Sequence, residues 1–478
     1  MLLSKRKTLT ILSFMFISLI FNILFLYTNT TYEYTEWIRI IPIIVIIHAV
    51  LSIVHFRLLS ISLFSLSTMF VLLLYIFHFG EVIAFGVFEH SGVTNSILLY
   101  PSSIYKSAIY SCFIIINCTS LGMMLSVNRV SKEGYNILTL KGLDLLSISD
   151  TKNCRTIGLI ILFLTFPLRL YIDTGNILTG LREGYLSTYE KMMPGVFYSF
   201  SELYITGFAL MLMSTRYQAK KQTAIFIVMV LYLTLTMFSG HRLDAVCYII
   251  TISYIYYMNR EHRKKVKIVS VFLLVLLAYL GVNLLLTVSE IRNQSNINLD
   301  MIRDTFRYFI FDRNPIVDLL YQFGETVYTP IATVFYINEF SKYTYGLTYI
   351  LSFVNAFPNI GGIFTTLSQK AMYGLELQNT GVLLGSQNIG GSYIGELIFN
   401  FGRFSVLFSL IFGVVIQKIS EIISHKAKSR DYIVTAYYVP VFWGMLGLVR
   451  GYSSTLVRAI VWGILLVYIV KAFVYRKK

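Results

Sequence analysis

The chain has 478 residues, of which 56% are hydrophobic and only 13% are charged, and its formal net charge is +16. Soluble domains carry about 45–50% apolar and about 25% charged residues, so this composition excludes a soluble enzyme, a disordered chain and a fibrous protein. The basic residues form no basic domain, and we therefore expect no nucleic-acid partner. The four cysteines show neither CxxC spacing nor a pairing pattern, which indicates neither a disulfide framework nor a zinc site.

Apolar segments that are long enough to cross a bilayer recur along the chain, since a spanning helix needs roughly 20 apolar residues. These segments predict an all-α polytopic membrane protein with about twelve transmembrane helices. We expect an N-terminal membrane bundle of about nine spans (1–287), a large loop region with short amphipathic helices (288–402) and a C-terminal bundle of about three spans (403–478). The predicted spans are 9–28, 38–56, 59–79, 106–127, 156–173, 196–214, 223–240, 244–258, 268–287, 403–420, 433–449 and 455–473.

The distribution of basic residues predicts the orientation in the membrane. Lysine and arginine favour cytoplasmic loops, and they cluster at residues 5–7 and then in every second loop, which places both termini in the cytoplasm. Three segments then face outward, at 80–105, 174–195 and 288–402. The last is far longer than an ordinary connection, and such loops are usually functional. Within it, residues 344–362 could form a short or a re-entrant helix.

Arginine is divided unequally between the two sides. The whole outer side of the predicted topology, including the outer ends of the spans, holds 11 of the 20 arginines but only 4 of the 20 lysines, although both residues obey the same cytoplasmic preference. Arginine binds phosphate with two parallel hydrogen bonds and keeps its charge when partly buried. The sorting therefore indicates an anionic, phosphorylated ligand near the outer leaflet. The alternative is ion pairing within the loop, where acids lie close to arginines: Asp304, Asp312 and Asp318 near Arg303, Arg307 and Arg313.

Arg242 has the strongest individual case for a functional role. It lies in SGHRLD (239–244), between two apolar stretches with almost no loop. A charge at membrane depth is costly and is a functional-site hypothesis by default, while the alternative is a snorkelling anchor at a helix end. The case for the neighbouring His241 is weaker. Arg303 and Arg307 have i, i+4 spacing, which predicts one shared face of an amphipathic helix on the outer leaflet. The side chains expected to face inward there are Met301, Phe306, Phe309 and Ile310.

A glycine-rich stretch, NTGVLLGSQNIGGSYIGELIFNFG, covers residues 379–402. The glycine pair at 390–391 permits close backbone approach to a ligand, and Ser392 can cap a following helix, whose N-terminal amides would face an anion. Glu396 falls one turn inside that helix, in an apolar run, where a carboxylate could act as a general base. The alternative is a tight loop that enters a membrane helix, with Glu396 paired to Arg403.

Two of these segments resemble a known family. GGSYIGELIFNFG (390–402) resembles the signature of bacterial O-antigen polymerases of the Wzy type, and SGHR (239–242) is similar to an S-x-R element that polymerases share with O-antigen ligases. About twelve spans and one long, late periplasmic loop fit the same family. Some polymerases also carry an Arg-x10-Gly element in each of two periplasmic loops. That spacing occurs here from Arg169 to Gly180 and from Arg313 to Gly324.

The resemblance implies a GT-C-type membrane glycosyltransferase in the bacterial inner membrane, with its active site facing the periplasm. Donor and acceptor would both be oligosaccharide repeat units on undecaprenyl diphosphate, and the growing glycan would move to the non-reducing end of a new unit, as in lipopolysaccharide biosynthesis. No metal and no other cofactor is implied. The implied partners are membrane lipids and a Wzz-type chain-length regulator.

The resemblance also suggests roles for the candidate residues. Fixed donors would stabilise the charge that develops on the diphosphate leaving group, a base would take the acceptor proton, and a tyrosine would stack on a sugar. We expect the catalytic group to be Arg242, His241, Arg313 and Glu396, with Glu396 or His241 as the base. We expect the substrate-binding group to be Arg169, Arg182, Arg292, Arg303, Arg307, Tyr393 and Arg450.

Other functions remain open at this stage. An O-antigen ligase would use the same donor with a lipid A acceptor. A transporter or flippase of lipid-linked oligosaccharides would line a central cavity with charges, yet the sequence shows few acids within the spans and no internal repeat. A membrane acyltransferase would need a histidine base, and none of His48, His55 and His78 has an acidic partner nearby in sequence.

Overall fold

The computed structural model describes most of the chain. The described ranges are 2–89, 99–127, 148–183, 187–190, 195–216, 218–239, 242–259, 268–291, 294, 297–357, 363–380, 390–428 and 432–476. Every regular secondary-structure element within these ranges is a helix. The predicted all-α fold class is therefore confirmed.

The N-terminal part of the described chain consists mainly of long apolar helices. A helix satisfies its own backbone hydrogen bonds, which is why uncharged runs of this length adopt it in lipid. The helices are α1 (Leu2–Thr31), α2 (Tyr34–Leu58), α3 (Leu66–Phe88), α4 (Ser102–Ser126), α5 (Ile148–Glu183), α6 (Ser187–Glu190), α7 (Gly195–Ser201), α8 (Tyr204–Ser214), α9 (Ala219–Thr236), α10 (Arg242–Asn259) and α11 (Ile268–Ile291).

The remainder of the chain begins with a series of short helices and ends with three longer ones. The short helices occupy the predicted loop region, as expected. They are α12 (Leu299–Phe311), α13 (Pro315–Gly324), α14 (Tyr328–Phe340), α15 (Leu347–Val354), α16 (Thr365–Lys370), α17 (Tyr373–Asn379) and α18 (Tyr393–Phe401). The longer ones are α19 (Ser405–Lys428), α20 (Tyr432–Leu448) and α21 (Ser453–Arg476).

The described chain is a polytopic membrane protein. It contains 8 helices that are long and apolar enough to cross a membrane, and two shorter apolar helices, Tyr279–Ile291 and Val434–Leu448, accompany them. The expectation of about twelve spans stays a prediction, because length and composition alone identify fewer helices of full length.

The limits predicted for the third span, 59–79, were wrong. Helix α3 begins only after Ser65, whose side chain accepts a hydrogen bond from the Thr68 amide and caps the helix. It then continues to Phe88, through residues that the sequence assigned to an outward segment. The added part of the helix includes Glu81, whose side chain is buried.

Glycines explain how Glu81 becomes buried, because they let α3 and α13 touch backbone to backbone. A Cβ on Gly80 would lie 2.2 Å from the carbonyl oxygen of Leu320, and a Cβ on Gly324 would lie 1.8 Å from the Glu81 amide nitrogen. The helices α4 and α19 approach each other in the same way at Gly122 and Gly413. Small residues at helix contacts are typical of membrane bundles, where close packing drives association.

The amphipathic helix predicted around residue 303 is α12. Asn298 caps it by accepting a hydrogen bond from the Met301 amide, and Phe309 is buried. Arg303 and Arg307 share its exposed face, which confirms that part of the prediction. The helix lies along α11, where the hydroxyl of Tyr279 donates to the carbonyl oxygen of Ile310 at 3.2 Å.

The short helices gather at one end of the bundle, which we call the loop end. There α3 and α11 finish, and α10, α18 and α21 begin. The Arg242 guanidinium at the start of α10 donates to the Leu285 carbonyl of α11 and to Gln322 of α13. The Ile297 amide, just before α12, donates to the Leu181 carbonyl of α5 at 2.9 Å. The loop end is the one that the sequence predicts to face outward.

Candidate functional site

A buried arginine lies near the loop end, inside a cage of acidic and aromatic side chains. Arg169 is only 3% exposed, and its Nε donates to Asp173 Oδ2, one turn later in α5, at 2.9 Å. Its guanidinium lies over the rings of Tyr198 and Tyr204, at 5.2 and 5.7 Å from their centroids. The hydroxyl of Tyr232 donates to the same Asp173 oxygen. The carboxylate therefore compensates the buried charge, and the rings add cation–π attraction.

Two more acids and a second arginine lie around this cage. Glu202, just before α8, is within electrostatic range of Asp244, Arg169 and Arg458. Asp244 occupies the first turn of α10, and Arg458 lies near the start of α21. We call Arg169, Asp173, Glu202, Asp244 and Arg458 the polar cluster. Its members come from separate parts of the chain, so only the folded structure brings them together.

Some buried polar atoms in and around the polar cluster have no hydrogen-bond partner among the described residues. Arg169 Nη1 and Asp173 Oδ1 are buried and have no hydrogen-bond partner among the described residues. The same holds for the hydroxyl of Tyr204, whose ring packs edge to face with that of Tyr248 at 6.1 Å. Buried polar groups are normally hydrogen-bonded, and leaving one unsatisfied costs about 1–3 kcal/mol. The cluster is thus suited to receive a polar ligand.

Arg242 begins α10 and is half-buried. Its Nη1 donates to the Leu285 carbonyl oxygen at 3.1 Å and to Gln322 Oε1 at 3.0 Å. These two hydrogen bonds join the start of α10 to α11 and α13. Arg242 precedes Asp244, a member of the polar cluster, by two residues in the same first turn.

Ion pairing within the loop, the alternative for the outer arginines, is confirmed for two of them. Arg303 pairs with Asp300 at 3.1 Å and with Asp304 at 3.2 Å, all at the surface. Arg313 donates to both carboxylate oxygens of Asp318, at 2.7 and 3.2 Å. This hydrogen-bonded carboxylate raises the pKa of the Arg313 guanidinium. These two arginines hold the loop together, and Arg313 in particular has its guanidinium engaged.

Two other arginines at the loop end are exposed to solvent. Arg182 and Arg307 form no hydrogen bond or ion pair with any other residue that the structure describes. Arg182 follows Leu181, whose carbonyl accepts from the Ile297 amide, so it lies close to the start of α12. The two guanidiniums therefore extend the positive surface beyond the polar cluster.

The remaining cationic candidates give less information. His241 and Arg292 lie outside the described residues. Arg450 is half-buried in the turn before α21, and its backbone amide donates to the Gly447 carbonyl oxygen at 3.2 Å.

Glu396 is fully buried and ties three elements together. Its Oε1 accepts from Thr348 Oγ1 at 2.8 Å and from Ser453 Oγ at 2.6 Å, and its Oε2 accepts from the Ser453 amide at 2.9 Å. Ser453 is the first residue of α21, so the carboxylate caps that helix, where its dipole favours a negative charge. Arg403, the partner considered from sequence, is exposed and is not among these contacts.

The glycine-rich segment around Glu396 is a packing junction. Ser392 caps α18 by accepting from the Gly395 amide at 3.2 Å, as predicted. A Cβ on Gly391 would lie 2.4 Å from the carbonyl carbon of Gly451. The close backbone approach expected at this glycine pair is therefore made to the turn before α21.

Tyr393 is buried in the core between α3, α4 and α19. Its hydroxyl lies 3.1 Å from Thr119 Oγ1, and its ring packs edge to face on Phe70 and Phe412. A ring stacked on a sugar needs an open face, and this ring has none. We therefore leave Tyr393 out of the proposed site.

Sequence reasoning missed the acids of the polar cluster. Asp173 lies four residues after Arg169 in an apolar run, and Glu202 lies inside a predicted span. Acids at membrane depth were the available signal, but nothing in the sequence linked them to a common arginine. Among the described residues, no three His, Cys, Asp or Glu side chains are grouped so that they could hold a metal ion.

Comparison with known proteins identifies a family. A family model described as "O-antigen polysaccharide polymerase Wzy" matches residues 9–478. No curated protein matches the chain. No solved structure matches it either.

Proposed function

The chain belongs to the O-antigen polysaccharide polymerase Wzy family, and from that premise we propose that it joins oligosaccharide repeat units carried on undecaprenyl diphosphate. In this proposal the growing glycan leaves its lipid diphosphate and moves to the non-reducing end of a fresh lipid-linked unit. The reaction takes place at the loop end, on the periplasmic side of the bacterial inner membrane, and both termini lie in the cytoplasm. The fold is then a GT-C-type glycosyltransferase, and a Wzz-type regulator is its partner in setting chain length.

The chemistry requires stabilisation of a leaving group. The acceptor hydroxyl attacks the anomeric carbon of the growing chain, and the bond from that carbon to the diphosphate oxygen breaks. The diphosphate leaves with the bonding electron pair, while the hydroxyl proton passes to a base. Fixed donors aimed at the developing charge lower the barrier, and in a water-poor site they act strongly.

The single observation that carries the proposal is the buried guanidinium of Arg169. Its Nε is engaged by Asp173, yet its Nη1 is buried without a partner among the described residues. A diphosphate oxygen supplies the acceptor that this N–H lacks. Arg242 lies two residues before Asp244 in the first turn of α10, where the Leu285 carbonyl and Gln322 hold its guanidinium, and we assign it to the same diphosphate. In this scheme arginine supplies the positive charge, so the reaction proceeds without a divalent cation.

The base in this scheme is Asp244. It is half-buried in the first turn of α10, two residues from Arg242 and within electrostatic range of Glu202. Glu396 is enclosed and fully hydrogen-bonded, which suits a positioning residue better than a group that must reach a sugar hydroxyl.

The exposed arginines have a separate role. Arg182 and Arg307 at the surface, together with the paired Arg303, attract diphosphate-bearing lipids and raise their local concentration. Their contribution is expected in binding rather than in the chemical step. Rim charges of this type lose their effect as salt increases.

The experiment is complementation of a strain that lacks the gene, with glycan length read on gels. Arg169→Lys and Arg242→Lys keep the charge but remove the planar fork, and both should shorten the glycan ladder at equal protein levels. Arg39→Lys, at an exposed ion pair with Glu89, is the matched control and should leave the ladder intact. Full ladders from both test variants would contradict the proposal. Loss of all glycan attachment, including single units, would instead indicate a ligase.

The orientation has its own test. Reporter fusions in residues 174–195 and 288–402 should report a periplasmic location, and fusions at either terminus a cytoplasmic one. A cytoplasmic signal from the 288–402 fusions would place the loop end on the wrong side for periplasmic transfer.

A further inference from the structure

The short helix α15 is amphipathic in the reverse of the usual sense. The side chains that it turns toward the protein are mostly polar: Thr348 bonds to Glu396, and Ser352 lies 2.7 Å from Ser453. The opposite stripe is apolar and open. It consists of Leu347, Ile350 and Phe353, continued by Phe357 just beyond the helix, and these side chains are 43%, 65%, 61% and 64% exposed. A helix at a water surface would show the opposite pattern.

Contacts with α21 show how far this segment descends. Ser352 meets Ser453 at the first turn of α21, and the carbonyl oxygen of Ala356 accepts from Trp462 Nε1 at 2.9 Å. Trp462 follows Ser453 by nine residues, which is roughly 13 Å along a helix axis at 1.5 Å per residue. The candidate span Ser453–Val474 has its middle close to Trp462. The end of α15 therefore lies toward the middle of this candidate span.

The carbonyl groups at the end of α15 accept hydrogen bonds from protein side chains, as is needed where water is absent. The last carbonyls of a helix lack intrahelical partners, and in lipid each unsatisfied carbonyl costs several kcal/mol. Here the Asn355 carbonyl accepts from Arg458 Nε at 2.9 Å, and the next carbonyl accepts from the Trp462 indole. Side chains of a spanning helix thus supply the donors that water would supply at a surface.

The exposed side chains of α15 and α16 are apolar near the ends where the two helices follow each other, and polar at the far end of α16. The two helices lie side by side, since Asn355 Nδ2 donates to the Ser368 carbonyl oxygen at 3.4 Å. Phe357, after α15, and Ile363, before α16, are exposed and apolar. The exposed residues at the far end of α16 are polar, including Lys370. Below the contact with Trp462, α21 itself exposes Ile464 and Leu465, so the open apolar surface continues down the bundle.

We infer that α15 and α16 form a re-entrant helical pair whose open stripe, Leu347, Ile350, Phe353 and Phe357, lies against the acyl chains of the outer leaflet. The partner is membrane lipid, because the stripe is apolar, extends toward mid-membrane and joins the exposed face of α21. Arg458 links the end of this pair to Glu202 of the polar cluster. The pair therefore fixes the depth at which the polar cluster lies relative to the bilayer, whatever glycan the protein handles.

The experiment uses full-length protein in lipid nanodiscs, with nitroxide labels on single introduced cysteines. Ile350→Cys and Phe353→Cys are the test positions. Phe16→Cys, on a lipid-exposed face of α1, and Asp300→Cys, at the exposed start of α12, are the matched controls. The native cysteines are buried or half-buried, and the unsubstituted chain gives their labelling background. Accessibility to oxygen, which concentrates in hydrocarbon, is compared with accessibility to a water-soluble nickel chelate.

Both test labels should resemble Phe16→Cys, with oxygen accessibility several-fold above nickel accessibility, while Asp300→Cys shows the reverse. Nickel accessibility equal to that of Asp300→Cys would overturn the inference, because the stripe would then face water. Low accessibility to both reagents, or dipolar broadening between labels, would also overturn it, since protein would then cover the stripe. None of these readouts depends on glycan transfer, so the result is independent of the proposed function.

Discussion

Replacement of Glu396 tests whether this residue stabilises the fold through its hydrogen bonds or accepts a proton during glycan transfer. In Glu396→Ala the Ser453 amide and the Thr348 hydroxyl both lose their carboxylate acceptor, whereas Ser453 Oγ keeps Ser352. Each buried unsatisfied donor costs about 1–3 kcal/mol, and the one lost methylene adds about 0.8 kcal/mol. We therefore expect Glu396→Ala to destabilise the protein by about 3–6 kcal/mol.

Glu396→Gln has a much smaller expected cost. Glutamine has nearly the same volume, its oxygen can accept from the Ser453 amide, and the serine and threonine hydroxyls can rotate to accept from its amide. We expect a loss of about 1 kcal/mol, from the charge-assisted part of these hydrogen bonds. Glycan length in cells that carry Glu396→Gln should stay close to that of the wild type.

The assay is thermal unfolding of purified protein in detergent, measured beside glycan ladders from complemented cells. The control is Glu376→Ala, at an exposed position of α17, which should change stability by at most about 0.5 kcal/mol. From highest to lowest, the expected order of melting temperatures is the control, Glu396→Gln and Glu396→Ala. If Glu396→Gln melted like the wild type but polymerised about 100-fold or more slowly, Glu396 would be a proton-transfer group. A purely structural role for Glu396 would then be wrong.

Two further predictions follow from the packing of the site. Arg169→Ala should leave a buried, uncompensated acid and cost about 3–5 kcal/mol, so its protein level in the membrane should fall well below that of Arg303→Ala, measured by immunoblot. Gly391→Ala should lower the melting temperature, because its Cβ would lie 2.4 Å from the carbonyl carbon of Gly451. Gly281→Ala meets no atom within 4 Å and should be neutral or stabilising by up to about 1 kcal/mol.

Local sequence patterns predicted the elements whose causes are local. The amphipathic helix α12 follows from its i, i+4 spacing, and Ser392 follows from the preference of serine for helix N-caps. The ion pairs of Arg303 and Arg313 with nearby aspartates were foreseeable as an alternative, because short sequence separation brings such groups together. In each case the partners lie within a few residues.

Features that depend on distant contacts were not predictable in the same way. The third span was placed too early, and only the packing of α13 on α3 shows that the helix continues through a buried Glu81. The polar cluster joins Arg169 to Glu202 and Asp244 across three parts of the chain. The hydrogen bonds of Glu396 also depend on a distant contact, because its partner Ser453 lies far along the sequence.

The central claim is that arginines at the loop end drive glycan transfer between lipid diphosphates. The most direct measurement uses purified protein in proteoliposomes with lipid-linked repeat units and a chelator, and it counts the repeat units joined to each lipid. The account predicts a ladder of lengthening glycans, release of undecaprenyl diphosphate for each unit added, and a reduction of both in Arg169→Lys and Arg242→Lys. Units that cross the bilayer without being joined, or a ladder that the chelator abolishes, would contradict it.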